Sequence, residues 1–126
     1  MKFAQFRQFA LGLPESTEEP HFTYSSFRVR HKIFATVPPG EDIVHVFVPE
    51  EERDRACALH PEFLEKLFWG KRVVGLRVLL APASAGVVSQ LLSSAWSYKA
   101  PAALRTKLSA SHDASAASRR KRARRT

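Results

Sequence analysis

Two groups of basic residues have the composition of a surface that contacts phosphate. The first lies on a predicted hairpin and at the start of a later strand, and the second is a run of cations near the C-terminus. Basic side chains on strands beside aromatic ones are typical of nucleic-acid-binding surfaces, and a polybasic run binds phosphate backbones through counterion release. The candidate nucleic-acid-binding residues are therefore Arg28, Arg30, Lys32, Lys71, Arg72, Arg119, Arg120, Lys121, Arg122, Arg124 and Arg125.

Each group also has a simpler explanation. The strand cations, with Tyr24, Phe27 and Trp69 nearby, fit an exposed sheet face whose charges maintain solubility and protect strand edges, which is the commoner situation. The run from Arg119 to Arg125 fits a solubilising tail without a specific partner. Both interpretations stay open at the level of sequence.

The histidines and the cysteine do not form a recognisable catalytic or metal-binding set. The five histidines lack the spacing of HExxH or HxH motifs. His45 lies in an apolar run, which is typical of a hydrogen-bonded core histidine. Cys57 and His60 are three residues apart, but the acidic residues around them oppose a thiolate, and a buried structural cysteine is favoured. Because no nucleophile, base and stabilising group can be assembled, we predict a protein that is not an enzyme and that holds no metal or cofactor.

Charge is unevenly distributed along the 126 residues, whose formal net charge is +8. Residues 1–100 contain 12 Lys/Arg and 11 Asp/Glu, whereas residues 101–126 contain eight Lys/Arg and one acid. From Ser109 onward the composition is rich in serine and alanine and then basic, which is typical of disorder. We therefore predict a folded domain over residues 1–104 and a disordered basic tail over residues 105–126.

Targeting signals are absent from the sequence. No run of eighteen or more apolar residues predicts a transmembrane helix, and residues 1–15 lack the apolar core and cleavage site of a signal peptide. The lone cysteine excludes an internal disulfide. We expect a cytoplasmic monomer without a membrane partner.

The hairpin that carries the first basic group belongs to a predicted run of three antiparallel strands. Residues 27–30 alternate apolar and basic side chains, and a two-residue turn at His31 and Lys32 leads into a strand over residues 33–37. In that register Val29 faces Phe34, and Phe27 faces Thr36. A Pro-Pro-Gly turn then leads to a third strand over residues 43–48, which is apolar on both faces apart from one histidine.

Helices and further strands flank this centre. Helical spacing predicts a first helix that ends near Gly12, followed by an acidic connector over residues 15–20 and a short strand over residues 21–24. A proline and an acidic first turn predict a helix from residue 50 to about 59, and Pro61 then either ends it or restarts it as a second short helix over residues 61–68.

The last predicted elements are a strand and a helix. The strand covers residues 72–80, where Gly75 marks a bulge or a close backbone approach. The last helix ends at Pro101 and has its inward positions at Val88, Leu91, Leu92, Ala95 and Trp96. The order α-β-β-β-β-α-β-α predicts an α+β domain, with an antiparallel sheet of about five strands and helices on one face.

Five segments in this order resemble a known family. They are ALGLPE at residues 10–15, the acidic connector that follows it, FRVRHKIFA at residues 27–35, Trp69-Gly70 before the fifth strand, and residues 95–101 at the end of the last helix. Together they resemble the MmcQ/YjbR-like family of small bacterial proteins, over about residues 3–104. The chain departs from the family at His31, where glycine or another small residue is usual. Residues 65–71 keep the tryptophan of an Asn-Lys-His-Trp-like run and lose its polar residues.

The resemblance implies a compact α+β domain, likened to a CyaY-like architecture, in a family without an established shared enzymatic activity. DNA binding has been proposed for the family on structural grounds. We therefore expect a non-catalytic protein that binds DNA or another nucleic acid, with the tail adding non-specific affinity for the phosphate backbone. The alternative is a small-molecule or protein-interaction domain with an apolar cleft near Trp69 or Trp96 and no nucleic-acid role.

Overall fold

A computed structural model describes residues 1–106 of the chain. Its elements follow the order α1 (Phe3–Leu11), β1 (Ser16–His21), β2 (Tyr24–Val29), β3 (Lys32–Val37), β4 (Ile43–Val46), α2 (Glu50–Leu59), β5 (Leu64–Trp69), β6 (Arg72–Leu79) and α3 (Ala85–Lys99). The strands form one sheet in the order β1-β2-β3-β4-β6-β5, and all neighbours are antiparallel. The predicted α+β class and antiparallel sheet are confirmed, with six strands where about five were expected.

The additional strand is β5. The prediction of a short helix over residues 61–68 is wrong, because Leu64–Trp69 pairs with β6 from Leu64 opposite Val78 to Trp69 opposite Arg72. An eight-residue helix gains little from its own hydrogen bonds. The hairpin with β6 satisfies the same backbone through a tight turn in which Gly70 has a φ of 59°.

The acidic segment after α1 is also a strand. The predicted strand over residues 21–24 is wrong, since β1 is Ser16–His21, and Phe22 and Thr23 form the turn into β2. This edge strand contains Pro20, whose missing N–H donor is tolerated where no further strand needs it. Its glutamates are typical of an edge that does not pair with other chains.

The β2–β3 hairpin turns one residue earlier than the sequence predicts. Arg30 and His31 are the turn residues, with φ values of 48° and 69°, the left-handed region that two-residue hairpin turns require. The predicted register is therefore wrong: Val29 lies opposite Lys32, and Phe27 lies opposite Ala35 after a register shift between Phe27 and Arg28. Arg30 belongs to the turn and not to the strand.

One face of the sheet forms the core with α1 and α3. Phe27 on β2 packs edge-to-face against Phe6 of α1, with 5.7 Å between the ring centroids. The cross-strand partners Ala35, Val46 and Leu76 continue this buried face across β3, β4 and β6. The inward positions predicted for the last helix are confirmed, because α3 buries Val88, Leu91, Leu92, Ala95 and Trp96.

Since side chains alternate along each strand, the partner row one residue away faces the opposite side of the sheet. This polar row consists of Ser26, Thr36, His45, Arg77 and Glu65, on β2, β3, β4, β6 and β5. The second helix, α2, packs against β5 and β6. The polar row therefore crosses five strands on the face that α1 and α3 leave uncovered.

The helices of residues 1–106 are too short or too polar to cross a membrane. The disordered basic tail predicted over residues 105–126 lies outside the described residues from residue 107 onward, and this part includes Arg119 to Arg125.

Candidate nucleic-acid interface

A broad groove of about 1270 Å³ runs across the uncovered face of the sheet. Its lining extends from Tyr24 on β2 to Trp69 on β5, and it reaches Tyr98 and Lys99 at the end of α3. With neighbouring strands about 4.8 Å apart, the four steps from β2 to β5 span about 19 Å. The groove is an elongated surface feature and not an enclosed cavity.

Thr36 and His45 form the floor of the groove. They are cross-strand partners, and Thr36 Oγ1 lies 3.2 Å from His45 Nδ1. The ring of Tyr24 stands over them, with its centroid 6.1 Å from that of His45. Burial and the nearby Arg77 charge hold the pKa of His45 below its usual value, so the imidazole is neutral at pH 7. His45 is hydrogen-bonded, as the sequence indicates, but it lies on the groove floor and not in the core.

Aromatic side chains form the sides of the groove. Phe22 is 93% exposed, Trp69 71%, Phe68 55% and Tyr98 54%, and all four line the groove. Large apolar side chains gathered on one surface mark interaction sites. Sequence reasoning named Trp69 and Tyr24 but missed Phe22, Phe68 and Tyr98. The signal for an aromatic surface was the pair Phe68-Trp69 directly before the turn at Gly70. It indicates an exposed site only when the segment is known to be an edge strand.

Phe27, the third aromatic residue suspected of lying beside the cations, is wholly buried in the core. Trp96 is buried as well, so the predicted cleft near tryptophan is the one at Trp69.

Three of the candidate cations lie at the same end of the sheet. Strands β3 and β6 both pair antiparallel with β4, so they run in the same direction and the turns before them lie at the same end. Lys32 begins β3, Lys71 lies in the β5–β6 turn, and Arg72 begins β6. All three are exposed, and within residues 1–106 they form no ion pair. Their charges are therefore available to a ligand.

The cations that line the groove are Lys71, Arg72, Arg53 and Lys99. Among the lining residues of the described part of the chain, Glu50 is the only acid, and it lies 3.8 Å from Arg53. Arg53 is itself largely buried and donates to the carbonyl of Val73 at 3.4 Å. The groove thus has an excess of positive charge toward the β5–β6 turn.

Arg28 lies on the uncovered face of β2 but outside the groove lining. Its Nε donates to Ser26 Oγ at 2.9 Å, and its Nη2 donates to the carbonyl of Pro20 at 3.4 Å. The Glu19 carboxylate lies 3.8 Å away. These contacts orient Arg28 along β1 and β2 and counter its charge.

Arg30 lies in the same turn region as Lys32 but is held by an acid. Its Nε and Nη2 donate to the two carboxylate oxygens of Glu15 at 2.9 and 3.1 Å. These hydrogen bonds and the Glu15 charge raise the pKa of Arg30. Lys32, Lys71 and Arg72 thus lie at one end of the sheet without an ion pair within residues 1–106, and Lys71 and Arg72 line the groove whereas Lys32 does not. Arg28 and Arg30 each have an acidic partner.

The other candidate positions, Arg119, Arg120, Lys121, Arg122, Arg124 and Arg125, lie outside the described residues.

Cys57 and His60 do not form a thiolate pair. Burial raises the pKa of the Cys57 thiol, and His60 Nδ1 lies 3.6 Å from Glu62. Within residues 1–106, no three acidic, histidine or cysteine side chains are grouped so that they would hold a metal ion.

Comparison with known proteins agrees with the fold. The crystal structure of Deinococcus radiodurans protein DR2400, which carries the domain DUF419, superposes with a TM-score of 0.68. It is 19% identical, and the match covers 86% of this chain and 88% of that one. No curated protein gives a significant match. Residues 11–98 match the sequence profile of YjbR, which covers most of the chain. The chain belongs to the YjbR family.

Proposed function

We propose that this protein is a non-catalytic nucleic-acid-binding member of the YjbR family that acts as a monomer. The observation that carries the proposal is that Lys71 and Arg72 line the groove and that Lys32 lies at the same end of the sheet, each without an ion pair within residues 1–106. Exposed cations in or beside turns at one end of a sheet are suited to contact the phosphates of a nucleic-acid backbone.

The local arrangement matters more than the total charge. Residues 1–100 are close to electrically neutral, so attraction to a polyanion must come from where the cations are gathered. Arg28, Arg30 and Arg77 are each countered by a glutamate. The turn end of the sheet is therefore the part of the described domain that a phosphate backbone would approach, and the basic run from Arg119 adds affinity without sequence preference.

The test is a titration of fluorescent double-stranded DNA with two proteins at several salt concentrations. One is the full chain, and the other is the full chain with the six tail cations from Arg119 to Arg125 replaced by glutamine. The proposal expects both to bind, with a steeper fall of affinity with salt for the unmodified chain. If only the unmodified chain binds, the tail acts as a generic polycation and the domain is not a nucleic-acid-binding module.

A second candidate is a small-molecule or protein-interaction domain. The aromatic groove above a neutral Thr36–His45 pair favours it, because apolar walls with few polar groups are typical of ligand sites. Trp69 is the exposed tryptophan and Trp96 is buried, so a change in fluorescence on adding ligand would report on the groove. A fluorescence change with a small ligand or peptide, but with no nucleic acid, would favour this second function.

A further inference from the structure

We infer that the groove binds single-stranded nucleic acid, with bases stacked on Trp69 and the neighbouring aromatic rings. This inference rests on the proposed function and specifies its ligand. The turn-end cations, Lys32, Lys71 and Arg72, could bind the phosphates of a duplex as well as those of a single strand. The aromatic groove favours a single strand, because its rings can stack on unpaired bases.

Exposed rings are the first argument. Trp69, Phe68, Tyr98 and Phe22 each leave more than half of their surface in water, although they line one groove. In a duplex the faces of the bases are stacked on one another, so a duplex would leave these rings wet. An unpaired strand presents every base as a flat surface for stacking, and such contacts are the usual means of binding single strands without sequence preference.

Size and shape are the second argument. Pockets for small molecules hold about 300–1,000 Å³ and enclose most of the ligand. This groove holds about 1270 Å³ and extends across the strands from β2 to β5. A small molecule would leave much of it empty, whereas a flexible strand can follow its length.

Charge is the third argument, because it distinguishes a nucleic acid from a hydrophobic peptide. Lys71, Arg72 and Lys99 lie at the groove and form no ion pair within residues 1–106, and the single lining acid is next to Arg53. Phosphates would lie along these cations while bases point toward the floor. There the half-buried imidazole of His45, whose Nδ1 is bonded to the buried Thr36 hydroxyl, would offer its second ring nitrogen to a base edge.

The experiment compares a labelled single strand of about 12 nucleotides, within the site sizes common for such proteins, with the duplex of the same sequence. Fluorescence anisotropy is measured with the full chain whose six tail cations are replaced by glutamine, so that the tail does not mask the groove. The single strand should bind at least about tenfold more tightly than the duplex.

Three variants in the same background locate the contact. Trp69→Ala should weaken single-strand binding by about 5- to 140-fold, the loss of one base–aromatic stack, and should leave duplex binding unchanged. Trp69→Phe keeps a ring and should retain most of the affinity. Leu59→Ala removes an exposed apolar side chain, 65% exposed, that does not line the groove, and should change nothing.

Two results would overturn the inference, and they differ in what they leave standing. Equal affinity for both forms, with Trp69→Ala without effect, refutes stacking in the groove and leaves duplex binding by the turn-end cations intact. Absence of binding to either form refutes the proposed function along with the inference.

Discussion

The indole Nε1 of Trp96 donates a 2.9 Å hydrogen bond to the carbonyl oxygen of Pro14, 82 residues earlier in the chain. The ring is wholly buried, and the bond ties the end of α3 to the connector between α1 and β1. Both residues belong to the segments that carry the family resemblance. Their contact gives these segments a structural role, because it fixes the end of α3 against the residues that follow α1.

Replacing Trp96 with phenylalanine should therefore destabilise the domain. The Pro14 carbonyl would lose its donor in a part-buried place, which costs about 1–3 kcal/mol before any loss of packing is counted. Urea unfolding measures the change in the free energy of unfolding. Trp69→Phe is the matched control, since Trp69 is exposed and its replacement should stay within about 0.5 kcal/mol of the original protein. Equal stability of the two variants would contradict a structural role for the Trp96–Pro14 bond.

Gly75→Ala should also lower the free energy of unfolding. A Cβ at this position would lie 2.8 Å from the carbonyl oxygen of Val46 and 2.9 Å from Phe47 Cδ1, so the backbone of β4 must move. Overpacking of this kind costs about 1–3 kcal/mol.

Gly86→Ala in α3 is the control for that substitution. The nearest atom to its Cβ would be Ser84 Oγ at 3.9 Å. This change should be neutral or should stabilise by about 0.4–1 kcal/mol, since alanine reduces the freedom of the unfolded chain. Equal free energies of unfolding for Gly75→Ala and Gly86→Ala would contradict the close approach of β4 to β6 at Gly75.

Removal of the turn-end cations should reduce the salt dependence of nucleic-acid binding. Lys71→Gln and Arg72→Gln should each lower the slope of log affinity against log salt by about 1, because each removes one phosphate contact. Arg55→Gln makes the same charge change at an exposed position of α2 that does not line the groove. An equal effect of Arg55→Gln would show that net charge, and not the turn end, governs the binding.

Stability should depend on pH through His45. Its folded-state pKa is lowered by burial and by Arg77, so the unfolded chain binds the proton more readily. The contribution of neutral His45 to the free energy of unfolding is fully present above about pH 6.5, the pKa of histidine in the unfolded chain. It is lost as the pH falls from there through the folded-state pKa.

Urea unfolding of the original protein and of His45→Gln across pH 5–8 measures this dependence. The amide keeps a partner for Thr36 but does not titrate. The difference between the two profiles should be constant above about pH 6.5 and should change below it. A difference that is constant over the whole range would contradict the lowered pKa.

Cys57 should react slowly with iodoacetamide at pH 7. Burial raises the pKa of its thiol and outweighs the opposing charge of Lys66, so little thiolate is present. The reference rate is that of the same protein unfolded in urea, where the thiol is free. Faster reaction of the folded protein than of the unfolded one would indicate an activated cysteine.

The sequence by itself determined those elements that are long and whose apolar residues recur at regular spacing. α3 has 15 residues, and its apolar positions recur at helical spacing, so Val88, Leu92 and Trp96 could be assigned to the core without a structure. The start of α2 could also be predicted, because a proline followed by an acidic first turn is a local signal for a helix start.

Only the tertiary structure decided the edges of the sheet. β1 and β5 have weak patterns of their own, and they are strands because β2 and β6 lie beside them to receive their hydrogen bonds. The hairpin turn begins one residue from its predicted place, and the register shifts again between Phe27 and Arg28, where β3 has one extra residue.

The candidate site followed from these edges. Lys71 and Arg72 were recognised from their charge, but their position at the same end of the sheet as Lys32 depends on β4 pairing antiparallel with both β3 and β6. Phe68 lines the groove from β5, whose register against β6 shifts between Leu67 and Phe68. Charged and aromatic side chains that could form a site can be identified from the sequence. Their grouping depends on pairing between strands far apart in the chain, which no local pattern encodes.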